Sequence, residues 1–305
     1  MNIRVVAVVV TFNRKCELMN CLRHLDHQSR PVDRIIVIDN ASRDGTEQAL
    51  QQHGWLEKPQ LRYLKLPTNS GGAGGFHRGI SEAMREGADA IWLMDDDGYP
   101  PQDCLEKLLQ HYDRYDFYGP MVVDEQQRLS FPLRLTGERQ PLRTVQQVQQ
   151  RFDKTDLHDV LIPFNGVVLK RSLVERIGLP RRDYFIWGDD IEYRLRAHAA
   201  GARIATLSDC QFFHPLQAGI GRPMLFGQLH FNQGNSPIKI YCQSRNGFSN
   251  ARRYQGRLSA ALFAIKQLWF YSLTQPNRRH FGLALRGLFD SWRGDFTRHT
   301  RLLES

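Results

Sequence analysis

Three adjacent aspartates stand where a buried strand is expected to end. Ile91 to Met94 is apolar, and Asp95-Asp96-Asp97-Gly98 follows it directly. Neighbouring carboxylates repel one another and are costly to hold near a core unless a cation neutralises them. Carboxylate oxygens suit Mg²⁺ or Mn²⁺, which keep positions open for substrate phosphates. The run therefore favours a divalent-cation site over an acidic turn that caps the next helix.

A second acidic pair opens a predicted helix. Asp189 to Ala200 has apolar residues at helical spacing, and Trp187-Gly188 precedes it. The helix dipole is expected to hold Asp189 and Asp190 ionised, and an ionised carboxylate can act as a general base toward a hydroxyl. The alternative is an ordinary pair of N-terminal capping acids, which this motif alone would favour. Trp187 either offers an apolar face to a sugar ring or belongs to the core.

A glycine-rich segment is the third candidate. Asn69 to Gly75 reads NSGGAGG and is predicted to be a loop that leads into a helix over Ala73 to Glu86. Glycines let backbone N–H groups approach a phosphate or sugar, and a helix N-terminus favours an anion. Arg78 would add a positive charge. In dinucleotide-binding folds the glycines follow the first strand, whereas here Thr11-Phe12-Asn13-Arg14 follows it, which disfavours an NAD or FAD enzyme.

One histidine could join the aspartates. His214 lies 24 residues after Asp190, beyond a strand predicted over Ala202 to Leu207. A lone histidine is usually structural. It becomes a further metal ligand if the fold brings its imidazole to the aspartate run.

The elements expected to position these side chains alternate between strands and helices. Predicted strands cover Ile3 to Val10, Arg34 to Ile38, Leu61 to Leu66 and Ala90 to Met94. This order predicts an open, mostly parallel α/β sheet, in which ligands bind beyond the carboxyl ends of the strands. Polar residues stand at each of those ends, which predicts one site there: Thr11 and Asn13, Asp39, Asn69, and the aspartate run.

The middle of the chain is less regular. Leu129 to Asp159 is polar and rich in glutamine, so loops and one helix are predicted there. Phe164 to Lys170 is a further predicted strand.

Composition sets limits on the class of protein. The chain has 305 residues, of which 41% are hydrophobic, enough for one large core or for a core with an appendage. Five cysteines without a CxxC pair disfavour a disulfide framework and a thiolate zinc site, and fit a reducing cytosol. The short apolar N-terminal run is typical of a buried strand rather than a signal peptide. No stretch reaches the roughly 20 apolar residues that a spanning helix needs.

Charge is concentrated near the C-terminus. The net charge is +9, and residues 236–305 carry twelve lysines and arginines against three acidic residues. Leu258 to Leu273 is nearly all apolar, and arginines lie on both sides of it. Such a helix can lie on an anionic membrane surface. The alternative is a helical subdomain packed on the catalytic domain or on a second subunit.

Taken together, these motifs resemble the inverting glycosyltransferase family 2, whose fold is called GT-A. The resemblance runs from Val5 to about His214 in the order VVVTFNR, VIDNAS, NSGGAGGFHRG, the aspartates, WGDDIEYRLR and the histidine. Tyr241 with Arg245-Asn246, and later Ala284 to Gly287, bring the chain closest to the bacterial galactofuranosyl- and rhamnosyltransferases. The implied domains are a catalytic domain over 1–235, with a nucleotide half over 1–125 and an acceptor half over 126–235, and a basic helical region over 236–305.

The resemblance also implies roles for individual residues. Asp190 would be the catalytic base. The resemblance does not decide between Asp95 and Asp96 as a ligand, because many members carry two aspartates at this point. The implied metal ligands for Mn²⁺ or Mg²⁺ are Asp95, Asp97 and His214; the nucleotide and donor would contact Thr11, Asn13, Arg14, Asp39, Asn69, Gly72, Gly74, Arg78 and Asp96; and the acceptor would contact Trp187, Gly188 and Asp189.

The expected activity is transfer of a sugar from a nucleotide diphosphate to a glycan or a polyprenyl-diphosphate-linked glycan. UDP-galactofuranose is the first choice of donor and dTDP-rhamnose the second. The expected location is the cytoplasm, at the inner face of the membrane through residues 236–305, and a homo-oligomer is compatible with the sequence. A sugar-phosphate nucleotidyltransferase would carry its glycine loop directly after the first strand, and a nucleic-acid-binding protein would have no use for acids at four strand ends. Both are disfavoured.

Overall fold

Strands and helices alternate over the first hundred residues, as predicted. The computed structural model describes residues 3–133, 140–152, 156–216, 221–224, 227 and 229–303. β1 pairs in parallel with β2 and β4, and β2 pairs in parallel with β3. The elements are β1 (Val5–Thr11), α1 (Lys15–Asp26), β2 (Arg34–Asp39), α2 (Thr46–Gln52), β3 (Leu61–Lys65), α3 (Gly71–Arg85) and β4 (Ala90–Asp95).

The remainder of the sheet is mixed in direction. The elements of this part of the chain are α4 (Cys104–Gln110), β5 (Phe117–Val123), β6 (Arg128–Leu133), β7 (Leu142–Thr144), α5 (Val145–Phe152), β8 (Leu157–His158), β9 (Asn165–Lys170), α6 (Arg171–Ile177), α7 (Asp189–Ala199) and β10 (Ile204–Phe213). The strand order is β3-β2-β1-β4-β9-β5-β10-β8, with β6 beside β5 and β7 beside β6. The predicted α/β class is confirmed. The sheet is mostly parallel, as predicted, because β1 to β5 and β10 share one direction, whereas β9 runs antiparallel between β4 and β5 and β8 runs antiparallel to β10.

The segment from Leu129 to Asp159 differs from the prediction. Its one predicted helix is α5, but β6, β7 and β8 also lie there. β7 and β8 have three and two residues, which is too few to show a period of two. β6 has six residues, but Pro132 within it disfavours a strand in a sequence-based prediction. The predicted strand over Ala202 to Leu207 continues to Phe213, past a register shift between Leu207 and Gln211.

Strand β1 is buried on both faces. Ala7 and Val9 pack in the same core cluster as Leu18 and Leu22 of α1. On the other face, a Cβ added at Gly79 of α3 would lie 2.2 Å from Val8 Cγ1. The fully buried pattern of β1 explains why its sequence is a continuous β-branched run rather than an alternating one.

Helix α3 begins earlier than predicted. It starts at Gly71, so the glycines from Gly71 to Gly75 form its first turns instead of a loop. A Cβ at Gly75 would lie 2.5 Å from Val10 Cγ1. Gly75 therefore serves close packing of the helix on the sheet, a role that the sequence does not distinguish from phosphate binding.

The chain forms two units, and their boundaries differ from the predicted division at residue 235. The first comprises Met1–Leu179 and Ala197–Gln217, and the second comprises Pro180–Arg196 and Ala218–Ser305. The first unit contains the whole mixed sheet. Residues 180–196, which include Asp189 and Asp190, belong with the C-terminal helices.

The second unit is mainly helical, as expected for the basic C-terminal region. It contains β11 (Arg222–Met224), β12 (Leu229–Phe231), α8 (Pro237–Asn250), α9 (Arg257–Trp269) and α10 (Arg278–Arg293), and α8 and α9 each end in a π-helical turn. Phe231, Phe270, Tyr271 and Leu283 form its core. Within the residues that the structure describes, no helix has the length and apolar character needed to cross a membrane.

Candidate active site

The ends of the first strands meet, as the sequence predicts. Thr11, the last residue of β1, is in register with Asp39, the last residue of β2. On the other side of β1, Val10 is in register with Asp95. The polar residues at these ends are therefore neighbours in the first unit.

Asp96 lies directly after β4 and is almost completely buried. The hydroxyl of Thr11 donates to Asp96 Oδ2 at 2.7 Å, and Arg14 Nη1 lies 3.3 Å from Asp96 Oδ1. Burial raises the pKa of Asp96 to about 6, against the opposing effects of Thr11 and Arg14. Asp96 is thus held by residues of the β1 end and carries a carboxyl that is less acidic than usual.

Asp97 faces in another direction, toward His214 and Arg14. His214 Nε2 lies 3.3 Å from Asp97 Oδ1, and Arg14 donates to Asp97 Oδ2. Burial raises the pKa of Asp97, but the interactions of its carboxylate with His214 and Arg14 outweigh burial and lower the pKa to about 2. Asp97 is therefore an ionised carboxylate at any ordinary pH.

The ends of β4 and β10 are joined so that His214 meets Asp97. Tyr99 and Phe213 exchange two backbone hydrogen bonds of 2.8 and 2.9 Å. The turn between the aspartates and Tyr99 passes close to β10, since a Cβ at Gly98 would lie 2.2 Å from a ring atom of Phe212. The sequence reasoning missed these supporting residues. The sequence signal for this close approach was Gly98, which directly follows the three acids.

Asp97 and His214 present two lone-pair groups to each other. His214 Nδ1 lies 2.7 Å from the carbonyl of Pro215, and because a carbonyl only accepts, Nδ1 carries a hydrogen. In the neutral ring Nε2 then has a free lone pair, a common arrangement for a metal-binding histidine. Asp97 Oδ1 is buried and lacks a hydrogen-bond partner of acceptable geometry. Such a pair suits a cation that takes its remaining ligands from substrate phosphates and water.

The three predicted metal ligands are not brought together. Among the described residues, no group of three or more His, Cys, Asp or Glu side chains is arranged to hold a metal ion. Asp95 remains in the β4 ladder opposite Val10, whereas Asp96 and Asp97 lie in the turn that follows. The structure therefore shows a direct contact between Asp97 and His214, and the role of Asp95 as a ligand stays a prediction.

The residues predicted to contact the nucleotide also hold the surrounding loops. Asp39 accepts hydrogen bonds from Ser42 N at 2.7 Å and from the hydroxyl of Tyr63 at 2.5 Å. Asn13 has a positive φ of 53° and accepts from Arg43 N at 2.7 Å. The side chains of Asp39 and Asn13, both predicted to bind the nucleotide, therefore already accept hydrogen bonds from neighbouring loop and strand residues.

The predicted donor residues near α3 have partners within their own segment. Asn69 accepts from Gly71 N at 2.8 Å. Arg78 forms an ion pair of 2.8 Å with the buried carboxylate of Glu82, one turn further along α3. A contact of Arg78 with a donor therefore stays a prediction.

In the second unit, the acidic pair begins α7 after a strained turn. Phe185, Trp187 and Gly188 have positive φ values of 64°, 65° and 87°. Asp189 is buried, and the half-buried Asp190 accepts from Ile191 N at 2.7 Å through its own Oδ1. Non-glycine residues in this conformation cost free energy and persist where the surroundings hold them.

Burial outweighs the helix dipole at this pair. The loss of solvent and the neighbouring charge of Asp190 raise the pKa of Asp189 to about 8. Burial also raises the pKa of Asp190, against backbone N–H bonds and the charge of Arg194. The expectation that the dipole would hold the carboxylates ionised is therefore wrong for Asp189 at neutral pH, and burial opposes the dipole at Asp190. A carboxylate with a raised pKa is a stronger base once ionised, which suits proton abstraction.

Helix α8 holds the strained turn through side-chain donors. The amide of Asn246 donates to the carbonyls of Tyr184, Ile186 and Trp187 at 3.0, 3.0 and 2.7 Å. The Asn250 amide donates to the Gly188 carbonyl at 2.9 Å.

Arg245 completes this support. It is fully buried and donates to the carbonyls of Asp183 and Tyr184 at 3.1 and 2.9 Å. In the sequence, Arg245-Asn246 is part of the family resemblance but has no predicted role. Nothing in a linear sequence connects this pair with residues 183–188.

Comparison with known proteins gives a consistent picture. The model of the family described as glycosyl transferase family 2 matches residues 6–176. The galactofuranosyltransferase GlfT1 of Mycobacterium tuberculosis is 34% identical over 281 residues, which cover 89% of this chain and 90% of that protein. The dTDP-rhamnosyl transferase RfbF of Shigella flexneri is 23% identical over 282 residues, which cover 88% and 86%.

Solved structures resemble this fold at low sequence identity. TarS of S. aureus has a TM-score of 0.59 at 17% identity over 98% of this chain, which spans about half the length of that structure (50%). Its fragment 1–349 in complex with UDP has a TM-score of 0.55 at 17% identity, covering 99% of this chain and 91% of the fragment. The mannosyltransferase PcManGT from Pyrobaculum calidifontis, in complex with GDP-Man and Mn²⁺, has a TM-score of 0.56 at 17% identity, covering 99% and 78%. At these identities the likeness concerns the fold alone, and it confirms the predicted GT-A fold.

Proposed function

The chain belongs to glycosyl transferase family 2 and is therefore a glycosyltransferase, and from this premise we propose that it transfers galactofuranose from UDP-galactofuranose. The observation that carries the choice of sugar is the 34% identity with a galactofuranosyltransferase over 89% of the chain. The rhamnosyl transferase is aligned over a similar share of the chain, 88%, at 23% identity. A dTDP-rhamnose-dependent activity is therefore the second candidate.

The proposed reaction is a single displacement with inversion, in which Asp190 is the base. Asp190 takes the proton of an acceptor hydroxyl, and the hydroxyl oxygen forms a bond to the anomeric carbon as the bond from that carbon to the diphosphate breaks. Two observations support this role: the pKa of Asp190 is raised by burial, and Asp190 begins a helix behind a turn that α8 holds in place. Trp187, Gly188 and Asp189 are the proposed acceptor contacts.

We propose that Asp97 and His214 hold a Mn²⁺ or Mg²⁺ ion. The buried Asp97 Oδ1 without a hydrogen-bond partner and the orientation of the His214 ring support this assignment. A bound cation would neutralise the diphosphate and make it a better leaving group. Asp95, the third ligand predicted from the sequence, remains the proposed further ligand.

The ends of β1 to β4 are the proposed nucleotide site. Thr11 and Asp39 would flank the nucleoside, and Arg14 would face the phosphates, since it already lies beside Asp96 and Asp97. The other proposed donor contacts are Asn13, Asn69, Gly72, Gly74, Arg78 and Asp96.

The proposed acceptor is a glycan or a polyprenyl-diphosphate-linked glycan of bacterial surface polysaccharide. Such an acceptor places the enzyme in the cytoplasm at the inner face of the membrane. The concentration of positive charge in residues 236–305 supports this location.

A donor panel tests the proposal. The full-length protein is assayed with UDP-galactofuranose and dTDP-rhamnose, each with Mn²⁺, with Mg²⁺ and with EDTA. We expect metal-dependent transfer of galactofuranose, reduced by about 10²-fold or more in Asp190→Asn. Asp97→Asn is expected to lose both transfer and the Mn²⁺-induced rise in melting temperature.

The control is Asp209→Asn, which changes an exposed acid on β10 and should retain both properties. Transfer of rhamnose alone would select the second candidate. No turnover of either donor, together with no binding of UDP or dTDP by calorimetry, would contradict the proposed reaction.

A further inference from the structure

The exposed face of α9 is apolar. Leu258, Leu262, Ile265, Trp269 and Leu273 recur every three or four residues from the start of α9 to its π-helical end, and all are exposed, Leu258 to 75%. The inward face of the same helix contains Gln267, which is 1% exposed and hydrogen-bonded to Ser244. An ordinary surface helix turns its apolar stripe toward the core and a polar face outward, whereas this helix also exposes an apolar stripe.

Helix α10 carries a second stripe of the same kind. Leu285, Phe289 and Trp292 are exposed at helical spacing, and the Phe289 and Trp292 rings contact each other at 6.1 Å between centroids. α10 packs mainly against α8 and also contacts α9, and its other face contributes Leu283 and Ala284 to the core of the second unit. Eight large apolar side chains on two adjacent helices exceed what scattered exposed residues explain, and they mark an interaction surface. We call these eight residues the α9–α10 face.

The charges around this face have one sign. Arg257, Arg278, Arg279, Arg286 and Arg293 are exposed. Between Arg257 and Arg293, a span that the structure describes in full, the one acidic residue is Asp290. Asp290 is fully buried and bonded to Tyr241 and Arg298. No exposed acid in this span balances the arginines.

We propose that the α9–α10 face docks on an anionic lipid surface, with its apolar side chains in the acyl boundary and its arginines at the phosphate headgroups. An apolar face bordered by arginines matches the interfacial type of membrane helix, and tryptophan suits the level of the headgroups. A symmetric contact with a second copy fits less well, because it would bring two sets of arginines together without an acid on either side. The inference deepens the proposed membrane location and rests on it, but it does not depend on the identity of the donor.

Vesicle flotation with the full-length protein tests the inference. The probes are phosphatidylglycerol–phosphatidylcholine vesicles and pure phosphatidylcholine vesicles, each at low and high salt. We expect binding to the anionic vesicles that weakens with salt. The double variant Leu262→Asp/Ile265→Asp should reduce this binding by at least about tenfold, and Trp292→Ser should reduce it less. Arg278→Gln/Arg279→Gln should reduce it at low salt.

Two controls keep the test decisive. Leu56→Asp changes an exposed leucine of the first unit and should leave vesicle binding unchanged, and circular-dichroism melting verifies that each variant is folded. Binding by Asp190→Asn equal to that of the unchanged protein would separate docking from the proposed reaction. The proposal would be overturned if the folded protein did not float with anionic vesicles, or if the Leu262→Asp/Ile265→Asp variant floated equally well. It would also be overturned by a dimer in sedimentation velocity that this variant dissociates, a result that would assign the face to a second copy.

Discussion

At the scale of single residues, Asp189 couples the acidic pair to the stability of the protein. Its pKa is about 8 in the folded chain and about 3.9 in an unfolded one. Between these values the folded protein binds more protons than the unfolded chain, so the free energy of unfolding falls as the pH rises. The ionised carboxyl is thus a destabilising group that the protein carries at alkaline pH.

Asp189→Asn removes that group, because asparagine is neutral at every pH. The window opens near pH 4, so we expect the stability gained by the variant over the unchanged protein to be larger at pH 9 than at pH 5 by at least about 1 kcal/mol. Thermal melting at pH 5, 7 and 9 measures the difference. Asp209→Asn, at an exposed position, provides the comparison. A difference that stays constant with pH, or a variant that is less stable at pH 9, would show that Asp189 is ionised in the folded state.

The sequence indicated the acidic pair but not its protonation. Two acids at a predicted helix N-terminus imply a favourable dipole. The opposing loss of solvent depends on the tertiary surroundings of the pair, and the turn before the pair is held by residues of α8 that lie about 60 positions later in the sequence. A pKa therefore reports tertiary burial, which a local pattern does not contain.

At the scale of elements, helix α3 shows how a motif can have two meanings. Gly75 and Gly79 lie against Val10 and Val8 of β1, where an added Cβ would meet the strand at 2.5 and 2.2 Å. Gly72, in the same helix, has no neighbouring atom within 4 Å of such a Cβ. Some glycines of this segment are thus required by packing and others are not.

This difference gives a prediction on stability. We expect Gly79→Ala to destabilise the protein by about 1–3 kcal/mol, because the new methyl group overpacks the contact with β1. Gly72→Ala should be neutral or stabilising by up to about 1 kcal/mol, since alanine restricts the unfolded chain more than glycine does. Urea unfolding measures both. Equal effects of the two substitutions would mean that close packing does not explain these glycines.

Helix α8 makes a second element-scale prediction possible. In Asn246→Ala three carbonyls of the turn before Asp189 lose their shared donor. We expect a loss of about 1–3 kcal/mol in stability. We also expect a fall of about tenfold or more in kcat with an unchanged KM for the donor, because the proposed base would be less well oriented.

Ser249→Ala is the matched control on the same helix. It removes one partner of the Tyr184 hydroxyl, which keeps its bond of 2.8 Å to Asn250. The control should retain kcat. A rise in the donor KM without a change in kcat in Asn246→Ala would argue against an orienting role.

The elements themselves were predictable to different degrees. The strands β1 to β4 and the residues at their ends follow from continuous apolar runs that stop at polar residues. The contact between Asp97 and His214 required the pairing of Tyr99 with Phe213, and the support of the acidic pair required a bond between residues 62 positions apart. Both depend on long-range pairing, for which one sequence without a structure has no local signal.

At the scale of the whole molecule, the C-terminal region is more than an appendage to the catalytic domain. The sequence suggested a division at residue 235 because charge and composition change there. The structure instead groups residues 180–196 with 218–305. Arg245, Asn246 and Asn250 explain the grouping, since they supply the donors for the carbonyls of residues 183–188.

A chain that ends at residue 235 should therefore lose more than its basic charge. Without α8 the turn before Asp189 has no side-chain donors, so we expect transfer to a soluble acceptor to fall by about 10²-fold or more. Binding of UDP with Mn²⁺ should persist in calorimetry, because Thr11, Asp39, Asp97 and His214 all belong to the first unit. The full-length variant Arg278→Gln/Arg279→Gln is the control, as it removes charge but keeps α8, and it should transfer normally. Normal transfer by the shortened chain would contradict the role of α8, and loss of UDP binding along with transfer would show that the first unit does not keep its nucleotide site on its own.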